Sequence, residues 1–134
     1  MNFLQDWEIN HYKKIIKKLK KVGIELTTSN IPLIIKETSF KTRSKKNKDE
    51  CPYYKLRYSC HPKIKDLNCF LCACPNYESN RLQGGCKINS KLGKYHHHRN
   101  LPKEKVWDCS DCTINHTVKE VEKYLKNHLE ELNI

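Results

Sequence analysis

Clustered cysteine is the feature that most limits what this chain can fold into. Three thiols fall within six residues in Cys69-Phe70-Leu71-Cys72-Ala73-Cys74, and Cys109-Ser110-Asp111-Cys112 follows with His116 four residues further on. A Cys-x-x-Cys segment can curl so that both sulfurs reach one tetrahedral ion while backbone N–H groups point at them. All eight cysteines lie between residues 51 and 112. In that stretch Pro52, Pro62, Pro75 and Pro102, with Gly84-Gly85 and Gly93, interrupt any helical or strand period. A segment so poor in continuous apolar surface needs disulfides or a metal to hold it together. The cysteines are concentrated where that need is greatest.

Metal fits better than disulfides. The N-terminal residues Met1-Asn-Phe-Leu-Gln-Asp-Trp-Glu lack the basic, apolar and small-residue parts of a secretion signal. No apolar run is long enough to span a bilayer. Cys72 and Cys74 cannot pair with each other without strain, and three thiols so close together suit a chelate better than three separate bridges. A reducing, cytoplasmic setting is the corresponding expectation.

Nine residues stand out as metal ligands: Cys60, His61, Cys69, Cys72, Cys74, Cys86, Cys109, Cys112 and His116. Cys51, beside a charged stretch, is a tenth candidate or a free thiol. Two closed zinc sites need eight ligands, so the count favours two ions, while the spacing leaves open which cysteines share one. An iron–sulfur cluster is the alternative cofactor. The spacing of Cys69, Cys72 and Cys74 departs from the ferredoxin run, and the available imidazoles lean toward zinc. The triplet His96-His97-His98 reads as a solvated loop, with copper, nickel or catalytic zinc as the other possibility. His11 and His128 read as surface or packing residues of terminal helices.

The flanks carry the regular structure. Leu4, Trp7, Tyr12, Ile15, Ile16, Leu19 and Val22 recur at three- and four-residue steps, predicting a helix over 3–22 that Gly23 stops. Ile24-Glu25-Leu26 and Pro32-Leu33-Ile34-Ile35-Lys36 read as short strands about the turn Thr27-Thr28-Ser29-Asn30. Residues 41–50 are basic and without period, the composition of a linker. Thr117-Val-Lys-Glu120 has the form of a capping box, and Val118, Val121, Leu125, Leu129 and Leu132 mark one face of a last helix, about 117–133. The expected fold is a small irregular α+β domain, metal-stabilised, with short strands and a helix at each end. Its expected divisions are an N-terminal helix with short strands (1–40), a basic linker (41–50) and a cysteine-rich region with the last helix (51–134).

The order Cys60-His61, then Asn68-Cys69-Phe70-x-Cys72-x-Cys74-Pro75-x-Tyr77, then Asp108-Cys109-Ser110-x-Cys112-x-x-x-His116 resembles the cysteine-rich small domain family. The likeness covers about residues 51–124. It implies a metal-binding, zinc-finger-like domain of a kind found as stand-alone bacterial and archaeal proteins and beside cobalamin-biosynthesis genes. It implies ligand duty first for Cys69, Cys72, Cys74, Cys109 and Cys112, then for Cys60, His61, Cys86 and His116. The chain departs from the family in Ser59 and Asn115, where proline is usual, and in Gly84-Gly85 preceding Cys86.

The formal charge is +11, from twenty-two lysines and four arginines, and falls to about +7 with eight thiolates around two Zn²⁺. A basic surface suits an anionic partner, so a nucleic acid or a protein is the expected partner class. Tyr53-Tyr54-Lys55-Leu56-Arg57-Tyr58 is the nearest approach to an aromatic-basic run that stacks on single strands. It reads more simply as a half-buried strand leading into Cys60. Neither HExxH nor the deaminase signature is present, which points away from an enzyme and toward a binding module with structural Cys/His sites. The alternatives are an iron–sulfur redox protein and a metalloenzyme of cobalamin metabolism. The lysine-faced N-terminal helix with Trp7 also fits a membrane-surface role, against the simpler reading that its apolar side packs on the core.

Overall fold

A computed structural model describes residues 3–56, 59–80, 84–88, 90–97, 105–108 and 113–132. Helix α1 (Phe3–Lys21) opens the chain and turns its buried Leu4, Ile15 and Leu19 inward. It ends where the sequence says it should. Gly23 takes φ +80°, the Gly23 N–H donates to the Lys20 carbonyl at 3.0 Å, and the Ile24 N–H reaches the Leu19 carbonyl at 2.9 Å. This is a Schellman closure, with Ile24 folding back beside Leu19 in the core.

The strand expected over 32–36 is instead helix α2 (Ile31–Glu37). Pro32 sits in its first turn, where a missing N–H costs nothing, and Ile31 and Ile34 share the buried face. A five-residue apolar run does not distinguish strand from helix by period. No strand forms at Ile24–Leu26 either, which the chain crosses in irregular backbone before a 3₁₀ turn at Thr28–Asn30. Residues 41–46 of the basic stretch belong to helix α3 (Phe40–Lys46), capped by the Ser39 hydroxyl accepting from the Thr42 N–H at 3.2 Å. Where a half-buried strand was expected before Cys60, Pro52–Lys55 forms a 3₁₀ turn with Tyr54 buried.

Further along, β1 (Lys94–His97) and β2 (Lys105–Asp108) pair antiparallel, with Tyr95 opposite Trp107 and their rings 5.1 Å apart. The backbone of His96 and His97 therefore lies in a strand rather than a loop, and His98 falls outside the described residues. Helix α4 (Val118–Leu132) closes the described chain, and the Thr117 hydroxyl accepts from the Glu120 N–H at 3.3 Å as the capping box predicts. Among the described residues the domain is mixed α/β and mostly helical, with four α-helices and one open two-stranded sheet.

One apolar cluster joins these parts. Ile15 and Leu19 of α1, Ile31 and Ile34 of α2, and Val121, Leu125, Leu129 and Leu132 of α4 meet around Phe70 and Leu71. The helices thus bury the two apolar residues inside the Cys69–Cys72 segment, and that fixes the cysteine loop against the core. Among the described residues no helix is long and apolar enough to cross a membrane.

Candidate metal centre

Asn68 ties the cysteine segment to everything around it. Its side chain is fully buried, with Oδ1 accepting from the Phe70 N–H at 2.8 Å and from the Thr38 hydroxyl at 3.1 Å. Its Nδ2 donates to the Ile35 carbonyl at 2.8 Å. The backbone adds a second set of ties. Ser39 bridges Asn68 in antiparallel fashion, the Cys69 N–H donates to the Thr38 carbonyl at 2.9 Å, and the Phe40 N–H to the Leu67 carbonyl at 2.9 Å. The α2–α3 junction is therefore the backbone partner of the segment that leads into Cys69.

The same asparagine orients a candidate ligand. Its N–H donates to the His116 carbonyl at 2.9 Å, and its own carbonyl accepts from His116 Nδ1 at 3.0 Å. A carbonyl can only accept, so Nδ1 carries the proton and the lone pair is left on Nε2. Burial holds the His116 imidazole below its usual pKa, partly offset by this hydrogen bond, and neighbouring His61 pushes in the same direction as burial. His116 is thus held neutral, the form that binds a metal.

Cys60, His61 and His116 come together, each offering a ligand atom within 4.8 Å of the others. The two imidazole rings lie 4.6 Å apart and tilted by 47°. Cys51, Cys60 and Cys72 pack against a second cluster made by Tyr54, Leu67 and buried Cys69. There Cys72 and Tyr54 both hydrogen-bond the Cys69 sulfur. The bond from Cys72 is the main cause that lowers the Cys69 thiol, with Tyr54 and the Arg43 charge assisting against burial. Cys72 is correspondingly raised, first by its bond to Cys69 and then by burial. Burial raises Cys60, and the nearby sulfurs of Cys69 and Cys51 add to it.

Cys74 and Cys86 lie elsewhere, lining one small cavity with Tyr77, Trp107 and Asn115. The Ser90 N–H donates to Cys86 Sγ at 3.3 Å. Cys109 and Cys112 fall outside the described residues. Cys51, Cys60, Cys69, Cys72 and Cys86 are free thiols.

Several residues that shape this region carry no motif signal. Arg43, Tyr54 and Thr38 are buried beside the sulfurs or their supporting backbone, and each would pass in sequence for a surface or strand residue. Asn115, at a position where the resembling family favours proline, donates to the Leu71 carbonyl at 2.7 Å and so ties the 3₁₀ turn Ile114–His116 to the cysteine loop. The chain matches no protein-family model, no curated protein and no solved structure. The likeness to the cysteine-rich small domain family accordingly rests on the motif elements that carry it.

Proposed function

We propose that the chain is a metal-binding module in which a Cys/His centre around Cys60 holds the cysteine-rich region to the helices and leaves the surface free to meet a partner. The observation that carries this reading is the meeting of Cys60, His61 and His116, ligand types from distant parts of the sequence, at chelating distance. Zinc suits such donors, since it accepts thiolate sulfur and neutral imidazole in a tetrahedral shell. Closed by a fourth ligand from a neighbouring thiol such as Cys69, a shell of that kind contributes folding free energy and leaves no open position for chemistry. A second ion would draw on Cys74 and Cys86 together with Cys109 and Cys112. The net charge of +11 suits an anionic partner, nucleic acid included.

The test is elemental analysis of untagged protein purified without oxygen or chelator, beside the Cys60→Ser variant. The expected result is about two zinc per chain, the number that eight ligands close, with one lost in the variant. Absence of metal from the wild-type protein, or iron with matching sulfide, would overturn the reading.

A further inference from the structure

Six lysines and no carboxylate occupy the end of α1, from Lys13 to Lys21. Ile15 and Leu19 turn inward, and helical steps of four, three and one residues set Lys13, Lys17, Lys20 and Lys21 in an exposed row on the other side. Among the described residues none of these four lysines forms an ion pair. Lys17 instead stands four residues from both Lys13 and Lys21, where like charges repel and weaken the helix. Helix α4 shows the other arrangement. There carboxylates are interleaved with lysines, and Lys126 pairs with Glu122 at 2.8 Å. An aromatic ring borders the row of α1. Glu50 reaches Lys14 at 4.0 Å and Lys18 at 3.9 Å, and the chain then enters the turn Pro52–Lys55. In that turn Tyr54 is 7% exposed and its hydroxyl accepts from Arg43 Nε, whereas Tyr53 is 39% exposed.

We propose that this row, with Tyr53 at its border, binds single-stranded nucleic acid, the lysines meeting phosphates and Tyr53 stacking on a base. The inference deepens the binding-module reading above and rests on it, naming the anionic partner and the surface that meets it. From Lys13 to Lys21 the helix rises about 12 Å, a length over which a stacked strand presents roughly three or four phosphates. The four lysines without ion pairs match that number. Lysine meets phosphate as a point charge, and α1 carries no arginine for the forked contacts that read base edges in a duplex groove. An exposed ring beside a basic row suits unpaired bases, whose faces are free to stack in any sequence.

The test is fluorescence anisotropy of labelled oligo(dT) with the full chain as purified, across a salt series, with zinc measured on the same sample. For the wild type the logarithm of the binding constant is expected to fall against the logarithm of salt with a slope of about −3, as four phosphate contacts on a single strand require. The triple variant Lys13→Gln, Lys17→Gln, Lys20→Gln is expected to bind about tenfold more weakly or worse, with a slope near about −1. Glutamine keeps nearly the helix propensity of lysine, so α1 persists. Lys119→Gln, Lys123→Gln, Lys126→Gln on α4 removes the same charge and is expected to leave the slope unchanged. Tyr53→Ala is expected to weaken binding about tenfold at the wild-type slope. Equal losses of slope in the two triple variants would overturn the inference, since charge would then act without regard to place. So would a Tyr53→Ala chain that binds like the wild type, or a duplex of equal length bound as tightly. Binding to phosphatidylserine vesicles without binding to the oligonucleotide would overturn it in favour of a membrane surface. A chain that carries zinc but ignores the oligonucleotide sinks this inference alone, and one that binds it through α1 without metal sinks the metal reading alone.

Discussion

Asn68 is the residue on which most of the centre's geometry depends. Truncating it in Asn68→Ala takes the buried acceptor from the Phe70 N–H and the Thr38 hydroxyl and a donor from the Ile35 carbonyl. Each orphaned group costs its desolvation, so the loss is on the order of 3 kcal/mol. A fall in the urea midpoint at unchanged slope would show it, and an unchanged midpoint would refute it. Two glycines allow a cleaner comparison. Gly23 and Gly84 both have positive φ, +80° and +71°, but a Cβ at Gly23 meets nothing, whereas one at Gly84 clashes with the Tyr77 hydroxyl and ring. Gly23→Ala should cost about 1 kcal/mol from backbone conformation alone. Gly84→Ala should cost about 3 kcal/mol, because the buried Tyr77 ring, whose hydroxyl donates to the Trp107 carbonyl at 2.6 Å, has to move as well. Equal losses would contradict the steric account. The special roles of Asn68 and Gly84 were partly legible, the one inside a motif and the other as a turn signal. Those of Arg43 and Tyr54 were not, since they partner each other across 11 residues and no local pattern names the pair.

Helices α2 and α3 belong together because their junction, Thr38 and Ser39, supplies the backbone partner of Asn68 and Cys69. Ser39 both caps α3 and forms this bridge. Ser39→Ala keeps the bridge and removes the cap together with the hydroxyl's bonds to the Lys36 carbonyl and the Thr42 hydroxyl, with an expected cost of about 1 kcal/mol, read as a lower thermal midpoint with unchanged far-ultraviolet dichroism at low temperature. A variant as stable as the wild type would argue that the cap is idle. On α1, His11 donates from Nε2 to the Phe70 carbonyl at 2.9 Å, and burial lowers its pKa from 6.5 to about 4. The folded state keeps this imidazole neutral while the unfolded chain protonates it near pH 6.5. The unfolded state therefore binds more protons between those two values, and stability falls as the pH drops from about 6.5 to about 4, by up to about 3 kcal/mol. His11→Gln removes the titration and should flatten that part of the stability profile. Parallel profiles for the two proteins would exclude His11 as the cause. The sequence showed α1 and α4 plainly, because long amphipathic periods with a glycine stop or a capping box leave little choice. It did not show α2, whose short apolar run fits either regular structure until a neighbour is placed against it.

For the whole molecule, the metal reading predicts that the centre and the helical core stand or fall together, because Phe70 and Leu71 are core residues set between Cys69 and Cys72. Stripping metal with a strong chelator under reducing conditions should lower the unfolding temperature of the entire domain. It should also raise hydrogen exchange at the Cys69 and Phe70 amides, which are held by Thr38 and Asn68. Unchanged melting after complete removal would assign the stability to the helices alone. The sequence by itself determined that the chain is basic, that regular helices bracket a proline- and glycine-broken cysteine region, and that thiols and imidazoles sit at chelating spacings. These are local properties, set by composition and by period along a few turns of backbone. Tertiary structure alone decided that Cys60 and His61 meet His116, that Cys51, Cys60 and Cys72 pack against Tyr54, Leu67 and Cys69, and that Arg43 is buried on the Tyr54 hydroxyl. Those meetings depend on how α1, α2 and α4 enclose Phe70 and Leu71, since the enclosure sets where the loop cysteines point, and spacing along the chain carries no record of it.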